Sequence, residues 1–416
     1  MRWINPSKIE GRVAAPPSKS MMLRAVAAAV LSEDESVIRN PSFCADALAG
    51  LGIAEILGRD VRRDTRIVRI RPDGARSGGR TLPCGESGLC MRMFAPIAAL
   101  SDRPHILEGT GSLLLRPMGF MEEPLSGLGS SCLTAAGFPP IRVSGPLQGG
   151  RIAIDGSLSS QFLTGLLMAL PFCPDASEIR VANLRSRPYA AMTVSFLRSF
   201  GLAIEADDSL ENIRIAGKQR FRKIDYAVEG DWSGSAFLLV AGALSGRVAV
   251  SGLSPGSLQP DRGILEALAL AGARIAWAGG RIEVERDRLS GFNFDAADCP
   301  DLIPPLAALA CHCRGRTRIF GADRLVHKES DRAAALVAEF SKAGAKIGID
   351  GARLEIRGGP LRAAMIDSHG DHRIAMAGAV AALSSERGLG IEGGECVAKS
   401  YPGFFDDLRR IGGQIE

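Results

Sequence analysis

Six glycines recur at an almost constant spacing along the 416-residue chain. Each follows an apolar stretch with helical character, and a glycine in the left-handed conformation commonly ends a helix. The glycines are Gly58, Gly129, Gly201, Gly272, Gly344 and Gly412, separated by 71, 72, 71, 72 and 68 residues. This regularity predicts six copies of one supersecondary unit.

A second feature repeats with the same period: a turn rich in Gly, Ser or Asp that leads into an alanine- and leucine-rich helix. These turns and helices lie at 18–31, 85–100, 159–170, 231–244, 301–310 and 371–383. Short β-branched or alternating runs lie at Ile67–Ile70, Arg151–Ile154, Ile213–Ile215, Val248–Val250, Ile282–Val284 and Leu354–Ile356. Each unit is therefore predicted to be βαβαββ. One unit cannot bury its own faces, so three should pack around a common helical core.

Six units of this kind predict an α/β protein of two three-repeat domains, since the chain is too long for one core. The seam is predicted near Glu229-Gly230-Asp231. The first domain then covers 16–229, and the second covers 1–15 together with 230–416, so that the chain crosses twice. Helix N-termini are expected to face one another across a cleft lined by positive dipoles.

The first of the repeated turns, Pro16-Pro17-Ser18-Lys19-Ser20, has the composition of an anion site. Ser18 or Ser20 can cap the following helix, which puts Lys19 where backbone N–H groups already point at an anion. Arg24 lies about one turn further on and is expected near the same mouth. The pattern favours a phosphate site; an ordinary capped helix with a solvated lysine is the alternative.

Cations recur at equivalent points of the other repeats. They are Arg92, Arg116, Lys328, Arg332, Arg373 and Lys399. Any one of them could belong to a solvated loop, but their recurrence suits ligands that carry several phosphates and carboxylates. Arginine binds both groups through paired hydrogen bonds. The turn Ser159-Ser160-Gln161 adds two hydroxyls and an amide at a third helix start.

Composition excludes several classes of protein. A net charge of +4 and 5% aromatic residues do not indicate a nucleic-acid-binding protein. The nine cysteines are scattered, as expected of reduced thiols in the cytoplasm, and Cys311-His312-Cys313 is interpreted as a helix end, not a zinc site. Neither a secretory leader nor a membrane span is predicted.

Several blocks of sequence match a known family in order along nearly the whole chain. They are Pro17–Arg24, Arg116–Gly119, Asp155–Thr164, Pro188-Tyr189, Glu229–Asp231, Pro300-Asp301, Lys328–Arg332, Asp371–Arg373 and Ala398–Pro402. Together they resemble the 5-enolpyruvylshikimate-3-phosphate synthase family of enolpyruvyl transferases. The resemblance implies the inside-out α/β fold of that family, two domains of three repeats around a hinge.

The resemblance also implies which residues bind the substrates. Shikimate 3-phosphate would contact Lys19, Ser20, Arg24, Ser159, Ser160, Gln161, Ser186, Tyr189, Asp301 and Lys328. Phosphoenolpyruvate would contact Lys19, Gly88, Arg116, Gln161, Arg332, Arg373 and Lys399. No metal and no organic cofactor is implied, and the protein is expected to be a monomer with no nucleic-acid or membrane partner.

The implied reaction is an addition followed by an elimination. The substrate 5-hydroxyl attacks C2 of phosphoenolpyruvate while C3 takes a proton, and the tetrahedral ketal then loses phosphate and a C3 proton. Asp301 is the candidate base for the hydroxyl, and Glu329 and Lys19 are the candidates for proton transfer at C3. The cations would stabilise the carboxylate and the departing phosphate.

The chain departs from the family pattern at a few positions. Gly85-Glu86-Ser87-Gly88-Leu89 stands where many members have Gly-Asn-Ala-Gly-Thr, so an acid is expected beside an anion pocket. Other departures are Met93, Arg324 and His327.

Two alternative functions remain open at this point. A UDP-N-acetylglucosamine enolpyruvyl transferase would share the fold but usually carries a loop cysteine, for which Cys132 is the candidate. A non-catalytic anion-binding or nucleic-acid-binding module would not need both Asp301 and Glu329.

Overall fold

A computed structural model describes residues 1–73, 81–221 and 223–416. Its helices are α1 (Lys19–Leu31), α2 (Ala45–Ile56), α3 (Gly88–Ala98), α4 (Glu122–Gly127), α5 (Gln161–Ala169), α6 (Arg187–Ser199), α7 (Trp232–Ser245), α8 (Ile264–Ala271), α9 (Ile303–Cys311), α10 (Arg332–Lys342), α11 (His372–Ala382) and α12 (Phe404–Arg410). In each repeat the first helix is odd-numbered and the second is even-numbered.

The strands are short. They are β1 (Arg2–Ile4), β2 (Ile9–Ala14), β3 (Ser36–Arg39), β4 (Arg59–Arg63), β5 (Ile67–Pro72), β6 (Thr81–Pro83), β7 (His105–Glu108), β8 (Ser131–Ala135), β9 (Phe138–Ser144), β10 (Gly150–Asp155), β11 (Ser177–Ala182), β12 (Ile204–Ala206), β13 (Asn212–Ile215), β14 (Asp225–Ala227), β15 (Gly246–Ser251), β16 (Arg274–Ala278), β17 (Arg281–Glu285), β18 (Asn293–Asp295), β19 (Arg316–Phe320), β20 (Lys346–Asp350), β21 (Arg353–Arg357), β22 (Ala364–Asp367) and β23 (Leu389–Glu392). All six strands predicted from the sequence are present.

The glycine repeat has the conformation that the spacing predicts. Each even-numbered helix is followed within two residues by one of the six glycines. All six have positive φ angles, between 84° for Gly58 and 113° for Gly412. A side chain disfavours this region, so glycine ends the helix at the same point in every repeat.

The sheets repeat as well. Five have four strands in the orders β14-β3-β5-β4, β6-β7-β9-β8, β10-β11-β13-β12, β2-β15-β17-β16 and β18-β19-β21-β20, and the sixth has the order β22-β23-β1. Each begins with a parallel pair and continues with antiparallel pairs. The segment before Pro16 thus supplies β1 and β2, which pair with β23 and β15 of the second half of the chain. Strand β14, which follows the third repeat, pairs with β3 of the first repeat.

The odd-numbered helices form the cores. Helices α3, α7, α9 and α11 are buried along their entire length, which is the pattern of a helix packed on all sides. They belong to two separate apolar clusters, one built on α1, α3 and α5 and the other on α7, α9 and α11. This is the helical core surrounded by sheets that the repeat predicted.

The chain divides into two compact units. One unit contains Met1–Ser18 and Glu229–Glu416, and the other contains Lys19–Val228. The sequence placed these divisions three residues earlier at the first crossing and one residue later at the second. Below, the unit of Lys19–Val228 is called the N-terminal unit and the other the C-terminal unit.

None of the helices in the described ranges is long and apolar enough to cross a bilayer. Within residues 1–73, 81–221 and 223–416, no group of His, Cys, Asp and Glu side chains is arranged to hold a metal ion. Cys311 ends α9 and His312 caps it, which agrees with the interpretation of Cys311-His312-Cys313 as a helix end.

Candidate active site

Lys19 is the first residue of α1 in the N-terminal unit, at the helix N-terminus predicted for it. Its Nζ lies 2.9 Å from Oδ2 of Asp46, and both side chains are largely buried. Lys19 is therefore not a solvated lysine, because its ammonium group forms a largely buried ion pair with Asp46. The sequence did not reveal Asp46, because an acid in the first turn of a helix such as α2 is common and carries no functional signal.

Arg24 is buried inside the fold. The sequence analysis, in contrast, expected it near the mouth of the anion site. Its guanidinium donates to Oγ1 of Thr193 at 2.9 Å, to the Ser20 carbonyl at 2.9 Å and to the Tyr189 carbonyl at 3.0 Å. Burial lowers the pKa of Arg24 to about 10. Arg24 thus joins α1 to the start of α6, and a contact with substrate remains a prediction.

A second cationic position surrounds Gly88, the first residue of α3. Ser87 caps this helix by accepting from the Cys90 backbone N–H. A Cβ atom at Gly88 would lie 2.9 Å from Nη1 of Arg116, 3.4 Å from Oε1 of Gln161 and 3.8 Å from Nη1 of Arg92. The two guanidinium groups therefore meet at a helix N-terminus, which is an arrangement that attracts anions.

Gln161 and Arg92 are linked across helices α5 and α3. Nη1 of Arg92 donates to Oε1 of Gln161 at 3.0 Å, and the guanidinium lies 5.6 Å from the ring centroid of Phe120. The sequence placed Arg92 among the cations of the repeat but not among the predicted substrate contacts. Its link to Gln161 adds it to the candidate site.

Glu86, the acid expected beside this anion position, hydrogen-bonds to Ser112. Oε2 of Glu86 accepts hydrogen bonds from Oγ of Ser112 at 2.9 Å and from the Ser112 backbone N–H at 3.3 Å. The carboxylate thereby contacts the segment that leads to Arg116.

The remaining residues predicted for the N-terminal unit lie at helix starts. Oγ of Ser159 accepts from the Gln161 backbone N–H, and Ser160 is buried at the start of α5. Ser186 is the buried residue before α6 and has a left-handed backbone conformation, with φ of 53°. Tyr189 lies in the first turn of α6, where its carbonyl accepts from Arg24.

Arg332 is the centre of the candidate site in the C-terminal unit. It is fully buried, and its guanidinium lies 3.0 Å from Asp301, 2.6 Å from Glu329 and 2.8 Å from Asp371. Burial disfavours its charge, but the three carboxylates outweigh that effect and raise the pKa of Arg332 above its ordinary value. Asp371 also caps α11 by accepting from the Arg373 backbone N–H.

Asp301 lies among three cations. Its carboxylate is 3.0 Å from Arg332, 3.0 Å from Arg373 and 3.4 Å from Lys328. Burial alone would raise the pKa of Asp301, but the charges of Arg373, Lys328 and Arg332 hold it far below its usual range. Burial, in turn, lowers the pKa of Lys328 despite the neighbouring carboxylate.

The cations of the C-terminal unit, which the sequence identified by their recurrence, are paired with acids. Three cations lie among three carboxylates: Lys328, Arg332 and Arg373 with Asp301, Glu329 and Asp371. An anionic ligand that binds here must share these cations with carboxylates. Lys399, the last predicted contact, is buried at the end of a short 3-10 helix, Gly394–Lys399.

A buried acid supports the turn that carries Asp371. Glu339 of α10 accepts from the Asp367 backbone N–H at 2.8 Å and lies 2.8 Å from Nε2 of His369. Asp371 itself donates its backbone N–H to the Ser368 carbonyl. The sequence singled out Asp371 only as part of a motif, and it gave no sign of Glu339.

Comparison with known proteins gives consistent matches. The family model for EPSP synthase (3-phosphoshikimate 1-carboxyvinyltransferase) matches residues 4–408. The chain is 39% identical over 414 residues to a 3-phosphoshikimate 1-carboxyvinyltransferase of Aeropyrum pernix, covering 99% of this chain and 96% of that protein. One from Clostridium kluyveri is 37% identical over 416 residues, with 99% and 97% covered.

A solved structure shows the same architecture. An EPSP synthase from Acinetobacter baumannii superposes with a TM-score of 0.83 at 25% sequence identity, covering 100% of this chain and 99% of that one.

Proposed function

The chain belongs to the EPSP synthase family, and from this premise we propose how its residues carry out the family's reaction. The enzyme transfers the enolpyruvyl group of phosphoenolpyruvate to shikimate 3-phosphate and releases phosphate, a step of aromatic biosynthesis. The assignments that follow concern which residues bind each substrate and which ones move protons.

The observation that carries the proposal is the meeting of Arg92 and Arg116 at Gly88. Two guanidinium groups, a helix N-terminus and the amide of Gln161 suit the phosphate or carboxylate of phosphoenolpyruvate. Arg332, Arg373, Lys399 and Lys19 complete the proposed contacts of that substrate. Arg332 and Arg373 would exchange part of their interaction with Asp301 for the ligand.

Shikimate 3-phosphate is proposed to bind at the helix N-termini that carry hydroxyl groups. Ser159, Ser160 and Gln161 offer donors and acceptors for a phosphate and for ring hydroxyls. Proposed contacts also come from Lys19, Ser20, Arg24, Ser186, Tyr189, Asp301 and Lys328. The internal hydrogen bonds of Arg24 favour an indirect role, in which it fixes the backbone of Ser20 and Tyr189.

Asp301 is the proposed base for the 5-hydroxyl. Without ligand its carboxylate is ionised and can accept a hydrogen bond from that hydroxyl, but its low pKa makes it a weak base. An anionic substrate that draws Arg332, Arg373 and Lys328 toward itself would raise the pKa of Asp301. Substrate binding would thus strengthen the base at the moment it is needed.

Glu329 and Lys19 are the proposed groups for proton transfer at C3 of phosphoenolpyruvate. Oε2 of Glu329 lies 2.6 Å from Nη2 of Arg332. Lys19 is held by Asp46 at the start of α1.

Phosphate release tests the substrate assignment. The enzyme is expected to release phosphate from phosphoenolpyruvate with shikimate 3-phosphate as acceptor and not with UDP-N-acetylglucosamine. Cys132, the candidate loop cysteine of the UDP-N-acetylglucosamine enzymes, lies buried on β8, and burial raises its pKa to about 12. The assignment would be contradicted if phosphate were released with UDP-N-acetylglucosamine but not with shikimate 3-phosphate. It would also be contradicted if neither acceptor gave phosphate release.

Gly88→Ala tests the proposed phosphoenolpyruvate position. The added Cβ would lie 2.9 Å from Arg116, so the guanidinium must shift. We expect the KM for phosphoenolpyruvate to rise about tenfold, equivalent to about 1.4 kcal/mol, with little change in affinity for shikimate 3-phosphate. Steady-state kinetics and calorimetric titration measure the two quantities.

Gly52→Ala is the matched control for that substitution. Gly52 lies within α2, and in the described part of the chain no atom outside its neighbours and its own helix backbone lies within 4 Å of its added Cβ. This variant should keep normal kinetics and gain about 0.5–1 kcal/mol of stability from the helix propensity of alanine. Equal KM values for phosphoenolpyruvate in the two variants would count against a site at Gly88.

We also propose a cytoplasmic monomer. Support comes from the nine cysteines, all of them free thiols and eight of them buried, which suits a reducing compartment. Cell fractionation and light scattering test the two statements.

A further inference from the structure

Glu86 connects the turn before α3 with the segment that ends at Arg116. Its carboxylate accepts from both the hydroxyl and the backbone N–H of Ser112, at 2.9 and 3.3 Å. Ser112 lies in a short 3-10 helix, Gly111–Leu115, which ends immediately before Arg116. One side chain therefore anchors the start of the segment that presents this arginine.

Backbone hydrogen bonds align the same two segments. The Cys84 N–H donates to the Glu108 carbonyl at 2.8 Å, and the Thr110 N–H donates to the Gly85 carbonyl at 2.8 Å. These two bonds end at Thr110, before the 3-10 helix begins. Beyond that point, two further hydrogen bonds join the segment to the turn through the Glu86 carboxylate.

The fit around the Glu86 carboxylate is close. Gly111 has a φ of 52°, and a Cβ on it would lie 2.6 Å from the carboxyl carbon of Glu86. The carboxylate thus packs directly against the backbone of the 3-10 helix. At the other end of that helix, Nη1 of Arg116 lies against Gly88, two residues from Glu86 along the chain.

We propose that Glu86 is a positioning residue that sets the guanidinium of Arg116 for phosphoenolpyruvate. This rests on the proposed contact between Arg116 and that substrate. A charge-assisted hydrogen bond to a backbone N–H is strong enough to fix a short segment. Without it the start of the 3-10 helix loses two hydrogen bonds to the turn, and the distance of Arg116 from Gly88 is less tightly fixed.

Glu86→Ala tests the proposal in the full-length enzyme. We expect the KM for phosphoenolpyruvate to rise about tenfold, the scale of one lost charged hydrogen bond, while the Kd for shikimate 3-phosphate measured alone stays unchanged. Glu86→Gln keeps an acceptor oxygen for Ser112 and should stay within about threefold of the unaltered enzyme. Ser112→Ala removes one of the two bonds and should raise the KM less than Glu86→Ala does.

The matched control is Glu123→Ala, which removes an exposed acid in the first turn of α4 and should change neither constant. Melting temperatures of all variants show whether each folds. A drop in the melting temperature of Glu86→Ala, with equal losses for both substrates, would mean a merely structural role and overturn the proposal.

A double variant shows whether Glu86 acts through Arg116. If it does, Glu86→Ala/Arg116→Ala will have the same KM for phosphoenolpyruvate as Arg116→Ala. A tenfold penalty that persists in the double variant, or a normal KM in Glu86→Ala beside a raised one in Arg116→Ala, overturns the proposal alone. A normal KM in Arg116→Ala would overturn both this inference and the proposed role of Arg116.

Discussion

Asp301→Asn is expected to lower kcat by about 100-fold or more, the scale of a lost general base. The amide cannot take the proton of the 5-hydroxyl, and it also loses its attraction for Arg332, Arg373 and Lys328. The measurement is phosphate release at saturating concentrations of both substrates. The far-ultraviolet circular dichroism spectrum shows whether the variant is folded.

The matched control for this variant is Asp298→Asn, an exposed acid three residues earlier in the chain. It should retain normal turnover. If Asp301→Asn also turned over at a near-normal rate, the base would have to be sought elsewhere in the network, and the assignment of Asp301 would be wrong.

Arg332→Met is expected to lower the stability of the C-terminal unit by about 3–5 kcal/mol, because it leaves buried carboxylates without their cation. Asp371, which is fully buried, and Glu329 both depend on this guanidinium. Thermal unfolding should show a decrease in midpoint on the order of 10 °C for a unit of this size. Activity should be lost as well, since Arg332 is a proposed contact of phosphoenolpyruvate.

Arg316→Met serves as the comparison for Arg332→Met. Arg316 is exposed and pairs with the half-buried Glu355, and surface ion pairs contribute about 0–1 kcal/mol. Equal losses of stability in the two variants would show that the buried network contributes no more than a surface pair does. In that case Arg332 would be retained for its contact with substrate alone.

The repeat made the fold predictable from the sequence. Glycine stops such as Gly58 and Gly412 and the apolar helices that precede them are local signals, and the same signals occur six times. Local signals also placed Lys19 at a helix N-terminus and Asp301 in the turn before α9. Helix propensity and capping act within a few residues, so the sequence alone carries this information.

The pairing of charges could not be predicted in the same way. Lys19 meets Asp46, Arg332 meets Asp301 and Asp371, and Glu86 meets Ser112, each across 26 to 39 residues of chain. Which acid approaches which cation depends on how helices and turns that are distant along the chain pack. The sequence therefore indicated recurring cations, whereas the structure of the C-terminal unit contains a network of three cations and three carboxylates.

The position of Arg24 illustrates the same limit. One helical turn after Lys19, it could point toward a ligand or into the core, and both directions fit the spacing. The choice depends on Thr193 and on the Tyr189 carbonyl, which belong to a different repeat and accept its hydrogen bonds. Only the packed structure decides between the two directions.

The reaction carried out in heavy water tests the central claim most directly. During addition, C3 of phosphoenolpyruvate takes a deuteron and becomes a CH2D methyl group; elimination then removes a hydron from it together with phosphate. Proton and phosphorus magnetic resonance should show one phosphate released per enol ether formed, with deuterium in the vinyl group. Phosphate release without the enol ether, or an enol ether whose vinyl group carries no deuterium, would contradict enolpyruvyl transfer by addition and elimination.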